Sequence, residues 1–175
     1  MLAFARAILP AFGREDYPPL RRFCMFFASF LSISLFALVA GIVAHMVIGM
    51  FWYSPMAFGQ HWMNLCKIKA SSIKMHSGHI LGSAITGGTI TIALGHILKT
   101  MGTATCLGAI ETSLILWPGF VATTIFSPVL WQKRPMELYL ITIAHWAVSF
   151  SVIGCIVTKL YLLSRLYKRS CLPPR

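Results

Sequence analysis

Four stretches of this 175-residue chain are apolar enough, and long enough, to act as membrane spans, and that fixes most of what the chain can become. A helix needs about 20 apolar residues, at ~1.5 Å each, to cross ~30 Å of hydrocarbon. Phe23 to Tyr53 carries no charge. Ile80 to Leu98, Leu107 to Trp131 and Leu138 to Leu163 follow, the last with Lys159 placed to snorkel from its end. Only 11% of the residues are charged and 57% are hydrophobic, whereas soluble domains carry about 25% charge. Such a chain cannot cover a water-facing surface, which excludes a soluble globule, a disordered tail and a fibrous repeat. The expected fold is all-α: a polytopic membrane protein whose four transmembrane helices form a compact bundle over residues 35–163. A basic, Phe-rich extension (1–34) precedes it and a basic tail (164–175) follows.

The net charge of +11 comes from 15 Lys+Arg against 4 Asp+Glu. A basic balance can signal nucleic acid, but these cations sit in the tails and at the ends of apolar runs, as the positive-inside rule places them. No basic helix face or stacking module is visible, so no nucleic-acid partner is expected. Four spans put both termini on one side, with ten Lys/Arg there against five on the other. That side is expected to face the cytosol, or the matrix if the membrane is the mitochondrial inner membrane, the preferred location. The N-terminus, with Arg6 and Arg14 and no acid before Glu15, reads either as a mitochondrial targeting segment or as an interfacial amphipathic stub ahead of Pro18-Pro19.

The first span is overlong, since about 30 helical residues would extend ~45 Å. Either it tilts steeply, or Phe23 to Phe36 projects from the bilayer and buries its phenylalanines on another membrane subunit. Five cysteines (Cys24, Cys66, Cys106, Cys155, Cys171) form no CxxC and share no close spacing. They read as reduced thiols packed as small hydrophobes, not as a disulfide framework.

Helices in lipid pack through small residues. Ala37, Gly41, His45 and Gly49 form one stripe on the first span; Ser83, Gly87, Thr91 and Gly95 form another on the second. These stripes are expected to pack closely, most simply on each other, so that Gly41→Leu or Gly87→Leu disrupts assembly more than Leu94→Ala. In the third span Pro118 lacks an N–H and crowds the carbonyl of Leu114, which predicts a kink. The fourth offers Thr142, His145, Ser149 and Ser151 for hydrogen bonds between helices.

Ionisable groups at membrane depth are functional suspects. His45 and His145 both fall ~12 Å below the face opposite the termini, where two imidazoles can share a proton, a water or a ligand, or simply bond neighbouring helices. Glu111, the acid inside an apolar run, is expected to pair with Lys99 or His96. His76 and His79 enter the second span three residues apart, with His61 and Cys66 in the same loop, but nothing there fixes four ligands for zinc, so no metal is expected. No GxSxG, Walker A, GxGxxG or HExxH is present. With four acids in all, no cofactor and no enzymatic activity are expected.

The loop after the first span is the most distinctive text in the chain. Trp52, Tyr53 and Trp62 supply aromatic anchors for the headgroup level, Pro55 ends the helix, and Phe58-Gly59 permits the turn that returns Trp62 to the interface. The run AGIVAHMVIGMFWYSPMAFGQHWM resembles the start of the domain-of-unknown-function 1761 family, small membrane proteins mostly of four helices. Leu116 to Thr124 (LWPGFVATT), Lys133-Arg134-Pro135 and Ala144-His145 agree with it. The resemblance spans about Leu35 to Leu163; it implies the four-helix fold and brings no activity or catalytic residues.

Two functions are therefore expected. The first is a non-enzymatic subunit of a larger membrane complex, docked through the N-terminal extension and first helix. The alternative is a small homo-oligomeric carrier or channel for a solute or protons, using His45, His145 and Glu111.

Overall fold

The structure, a computed structural model, describes residues 33–69 and 76–170, with side chains through Leu163. Expectations placed on residues 1–32, including the targeting and docking readings, lie outside the described residues. Among those residues there are helices and no strands. The first span, α1, is Leu35–Trp52, 18 residues. Ser34 opens it with extended backbone (ψ 139°), its hydroxyl accepting from the Ala37 N–H at 3.2 Å. That cap satisfies an N–H the first turn would otherwise leave bare, so no overlong span passes through residue 34. The remaining ~27 Å suits the hydrocarbon without steep tilt.

The short α2 (Gly59–Cys66) follows the first loop and ends where Lys67 turns left-handed, φ 55°. The second span, α3, is Ser77–Thr100. The third is one rod in three parts: α4 (Cys106–Leu116), capped by Thr105 on the Gly108 N–H, a π-helical segment (Trp117–Ala122), and α5 (Thr123–Gln132). Here the expected Pro118 kink takes the form of a widened turn. Proline removes one donor from the ladder, and the Thr123 N–H reaches back five residues to the Pro118 carbonyl. The last helix, α6, runs Met136–Ser170. Four of these rods are long and apolar enough to cross a bilayer: Leu35–Trp52, Ser77–Thr100, Cys106–Gln132 and Met136–Leu163. They are the rods of an integral membrane protein. Because they alternate in direction, one end of the bundle, the loop end, holds the close of α1 and the start of α6.

The helix α1 packs against both α3 and α6, and α4 packs against α6. The two small-residue stripes meet at their middles only. A Cβ on Gly41 would run into the Thr91 hydroxyl and lie 2.6 Å from its methyl, and one on Gly87 would sit 3.1–3.3 Å from the His45 side chain. Towards the loop end the helices diverge: a Cβ on Gly49 would approach the His145 Nε2 of α6 at 3.6 Å, Ser83 is exposed, and Gly82 has nothing near it. At the other end Gly95 serves Ile33 and Val157. From Ser77 to Thr86 nearly every residue of α3 is exposed.

In the terminal half the core is apolar: Leu94, Leu98, Ala109, Ile153 and Val157. Leu94 is 2% exposed, so Leu94→Ala also opens a core cavity. A second correction concerns the cysteines, because Cys106 and Cys155 form a disulfide, Cα–Cα 4.7 Å. Cys106 starts α4, and Cys155 follows Gly154, whose missing side chain admits Ser113 of α4. Spacing along the chain carries no trace of that neighbourhood. Of the α6 hydroxyls, Ser151 donates to Ala147 of its own helix, and Thr142 donates to Leu138 while also meeting the Tyr53 phenol beyond α1.

Candidate functional site

The close approach of α1 to α3 and α6 determines what happens at its one ionisable residue. Gly87 lets the Cδ2 edge of His45 lie on the backbone of α3, leaving Nδ1 on the opposite edge. His145 enters from α6, its ring centre 5.8 Å from that of His45. The two are 7% and 5% exposed, so both rings are removed from lipid and bulk water. Trp146 stacks on His45 at 5.5 Å and meets His145 edge-on at the same distance. Tyr53 and Trp52 close the pair from the loop end, 5.3 and 6.1 Å from His145. Neither His45 Nδ1 nor His145 Nε2 has a hydrogen-bond partner, and neither has Ser149 Oγ, one turn along α6. Buried polar atoms are nearly always paired; Thr158 Oγ1, farther along α6, likewise has no hydrogen-bond partner.

Aromatic contacts hold the loop that follows α1. Trp52 packs on Phe58 at 4.9 Å and Tyr53 on Trp62 at 5.5 Å. A side chain on Gly59 would strike the Tyr53 carbonyl and lie 2.7 Å from that of Ser54, so glycine is required where the chain folds back past Pro55. The Trp52 indole donates to the Ile141 carbonyl of α6 at 3.1 Å. That bond crosses from α1 to α6 just above the histidines. Burial pushes the Tyr53 phenol above its usual 10.0, against the opposing effect of its side-chain hydrogen bond with Thr142; the neighbouring Cys66 raises it further. Trp117, ahead of Pro118, donates its indole N–H to the Ile143 carbonyl at 2.9 Å.

Glu111 does not join this site. The buried side of α4 is Ala109, Thr112 and Ser113, whereas Glu111 is exposed and forms no ion pair among the described residues. The expected pairing with Lys99 or His96 is therefore absent: α3 and α4 touch little, and Glu111 faces away from α3. His96 is buried in the last turns of α3. The ion pair that does form is His61 Nε2 to Glu137, 3.0 Å apart on the exposed loop end, between residues 76 apart that periodicity could not match. His76 and His79 stand edge to face at 6.0 Å and are exposed. No cluster of three metal-ligating side chains occurs among the described residues.

Beside α2, Trp62, Cys66, Val129, Arg134 and Tyr139 line a half-open groove of about 190 Å³. Burial raises the Cys66 thiol, partly offset by Arg134. Sequence reasoning found both histidines and their common depth but missed two neighbours. Trp146 is legible as the residue after His145; from the sequence, Ser149 reads as a bridge between helices.

No curated protein and no solved structure is similar to this chain. A family model does match, over residues 36–158, carrying all of α1 beyond its first residue, both histidines, the clasp and the Pro118 segment. On that match the chain belongs to DUF1761, a family of proteins of unknown function.

Proposed function

We propose that this membrane protein is a small carrier whose binding station is the His45–His145 pair, working on a proton or a small hydrogen-bonding solute. The observation that carries this reading is the pair itself. Two imidazoles from different helices lie together at membrane depth, each more than nine-tenths buried, with a nitrogen unpartnered on each. Intramembrane ionisable groups are costly, and sites of this kind mark ion and proton paths. Glu111 has no part in the station. Four rods leave little room for a path within one copy, so the working unit is a homo-oligomer. The test is flux in liposomes driven by a pH gradient: His45→Ala and His145→Ala should each abolish it, and wild-type protein without flux would end the carrier reading.

A second reading, an accessory subunit of a membrane complex, is favoured by a different observation. Glu111 is exposed on a membrane-spanning helix, and α3 is bare from Ser77 to Thr86. A lipid-facing carboxylate is costly, and bare helix backbone is what another subunit covers. The mitochondrial inner membrane is the proposed location of either assembly, with both termini in the matrix. Native-gel profiling of mildly solubilised membranes separates the two readings: co-migration with a large complex supports the subunit, and a small homo-oligomer supports the carrier.

A further inference from the structure

We infer that His45 Nδ1, His145 Nε2 and Ser149 Oγ enclose bound water, and that this hydrated pocket takes up one proton from the loop end. The inference rests on the carrier reading and names its cargo as the proton. Geometry is the first argument. The ring centres are 5.8 Å apart, and an imidazole nitrogen lies about 1.2 Å from its ring centre, so the two nitrogens approach no closer than ~3.4 Å. That exceeds an N–H···N hydrogen bond, about 3 Å. The histidines cannot pass a proton directly, and one intervening atom is needed.

Chemistry is the second argument. Each orphaned polar atom costs roughly 1–3 kcal/mol if left dry, and a water with two to four polar partners removes that cost. His45 Nδ1, His145 Nε2 and the Ser149 hydroxyl are such partners, each without a hydrogen-bond partner; the two rings meet across α1 and α6, and Ser149 is one turn from His145 on α6. Two nitrogens and one hydroxyl are too few donors for tetrahedral zinc.

Access is the third argument. Beyond Ser149 the apolar cluster of Leu94, Ile153 and Val157 lies between the pair and the far end of the bundle. On the other side the pair is closed by Trp52 and Tyr53, held by two hydrogen bonds from α1 to α6, those of Trp52 with Ile141 and Tyr53 with Thr142. A proton therefore arrives past the clasp. A hydronium delivers it to one imidazole nitrogen and remains as water. Among the described residues, the titratable groups in ring contact with the pair are each other and the Tyr53 phenol, and Cys66 of α2 lies beside Tyr53; α3 offers Gly87 there. Glu137 lies two turns towards the surface with His61, and Glu111 is on the outer side of α4. With no carboxylate to balance a second charge, the pair takes one proton and not two.

The experiment is solid-state NMR on full-length protein, labelled with 15N-histidine and reconstituted in lipid nanodiscs, titrated between about pH 8 and 5. Polarisation transfer from water reads hydration, and His45→Asn and His145→Asn assign the signals. The expected result is rapid transfer from water to both rings and one imidazolium per pair at the acidic limit. Ser149→Ala, which removes one anchor without adding volume, should at least halve the transfer while exposed His76 and His79 remain unchanged. Absence of water transfer at both rings, two imidazoliums, or two rings neutral to the acidic limit would each overturn the inference. Nanodiscs have no interior, so this result is independent of flux. Uptake without liposome flux retains the hydrated site and removes the carrier; flux without uptake retains the carrier and removes the proton as its cargo.

Discussion

Gly41→Ala tests the bundle at its tightest point. The added methyl would meet the hydroxyl of Thr91 and lie 2.6 Å from its methyl group. Thr91 cannot easily yield, being fully buried with its hydroxyl bonded to the Gly87 carbonyl at 2.7 Å. Rotating it would break that bond and move Gly87, which supports His45. Overpacking a closed site costs about 1–3 kcal/mol, and alanine returns up to ~1 kcal/mol of helix propensity. The expected net loss is about 0–2 kcal/mol, and about 1–3 kcal/mol relative to a glycine whose alanine meets no neighbour. Gly82→Ala supplies the internal control, for it makes the same chemical change on a helix where the new methyl meets nothing within 4 Å. It should be neutral or stabilising. Thermal unfolding in one detergent, followed by tryptophan fluorescence, ranks the two, and Thr91→Ala combined with Gly41→Ala should recover part of the loss. If Gly41→Ala proves as stable as Gly82→Ala, the close α1–α3 crossing is not what holds these helices.

The disulfide closes a separation of 49 residues, so Cys106→Ser should cost about 2–4 kcal/mol; a non-reducing gel after maleimide blocking checks the bond, and melting checks the cost. Trp52→Phe keeps the ring but loses the bond to Ile141, about 1 kcal/mol, and should increase water transfer to His145. Burial raises the Tyr53 phenol above 10.0, so its contribution to stability is complete below pH 10 and declines as pH rises through the raised value; alkaline melting should destabilise the wild type more than Tyr53→Phe. His61→Gln breaks an exposed pair worth at most ~1 kcal/mol, and its melting temperature should be nearly unchanged.

The spans were legible because hydrocarbon demands long apolar helices whatever the tertiary arrangement. The meeting of Gly41 with Thr91 and of Gly87 with His45 was legible for a related reason: small residues at fourfold spacing define one helix face. What the stripes could not show was their crossing, which separates Ser83 and Gly49 from any shared contact. The overlong first span failed on one hydroxyl, since Ser34 is invisible to hydropathy yet ends a helix by capping it. Glu111 failed for a geometric reason. Matching its depth to Lys99 and His96 ignored the direction in which it leaves α4. The Cys106–Cys155 bond and the His61–Glu137 pair join positions far apart in sequence, where only packing supplies the proximity.

The bundle is held in two different ways along its length, and this bears on how a buried histidine pair can work. In the terminal half, Leu94, Ile153 and Val157 interlock and a covalent bond joins α4 to α6. Towards the loop end the ties are hydrogen bonds from Trp52, Tyr53 and Trp117 to α6, with α3 already standing apart. Each bond is worth about 1 kcal/mol net, and water can replace it when broken. The π-helical segment lies at this same junction and keeps Trp117 within reach of Ile143. A proton reaching His45 or His145 adds charge where the weak ties are, with the rigid half beneath as a fixed base.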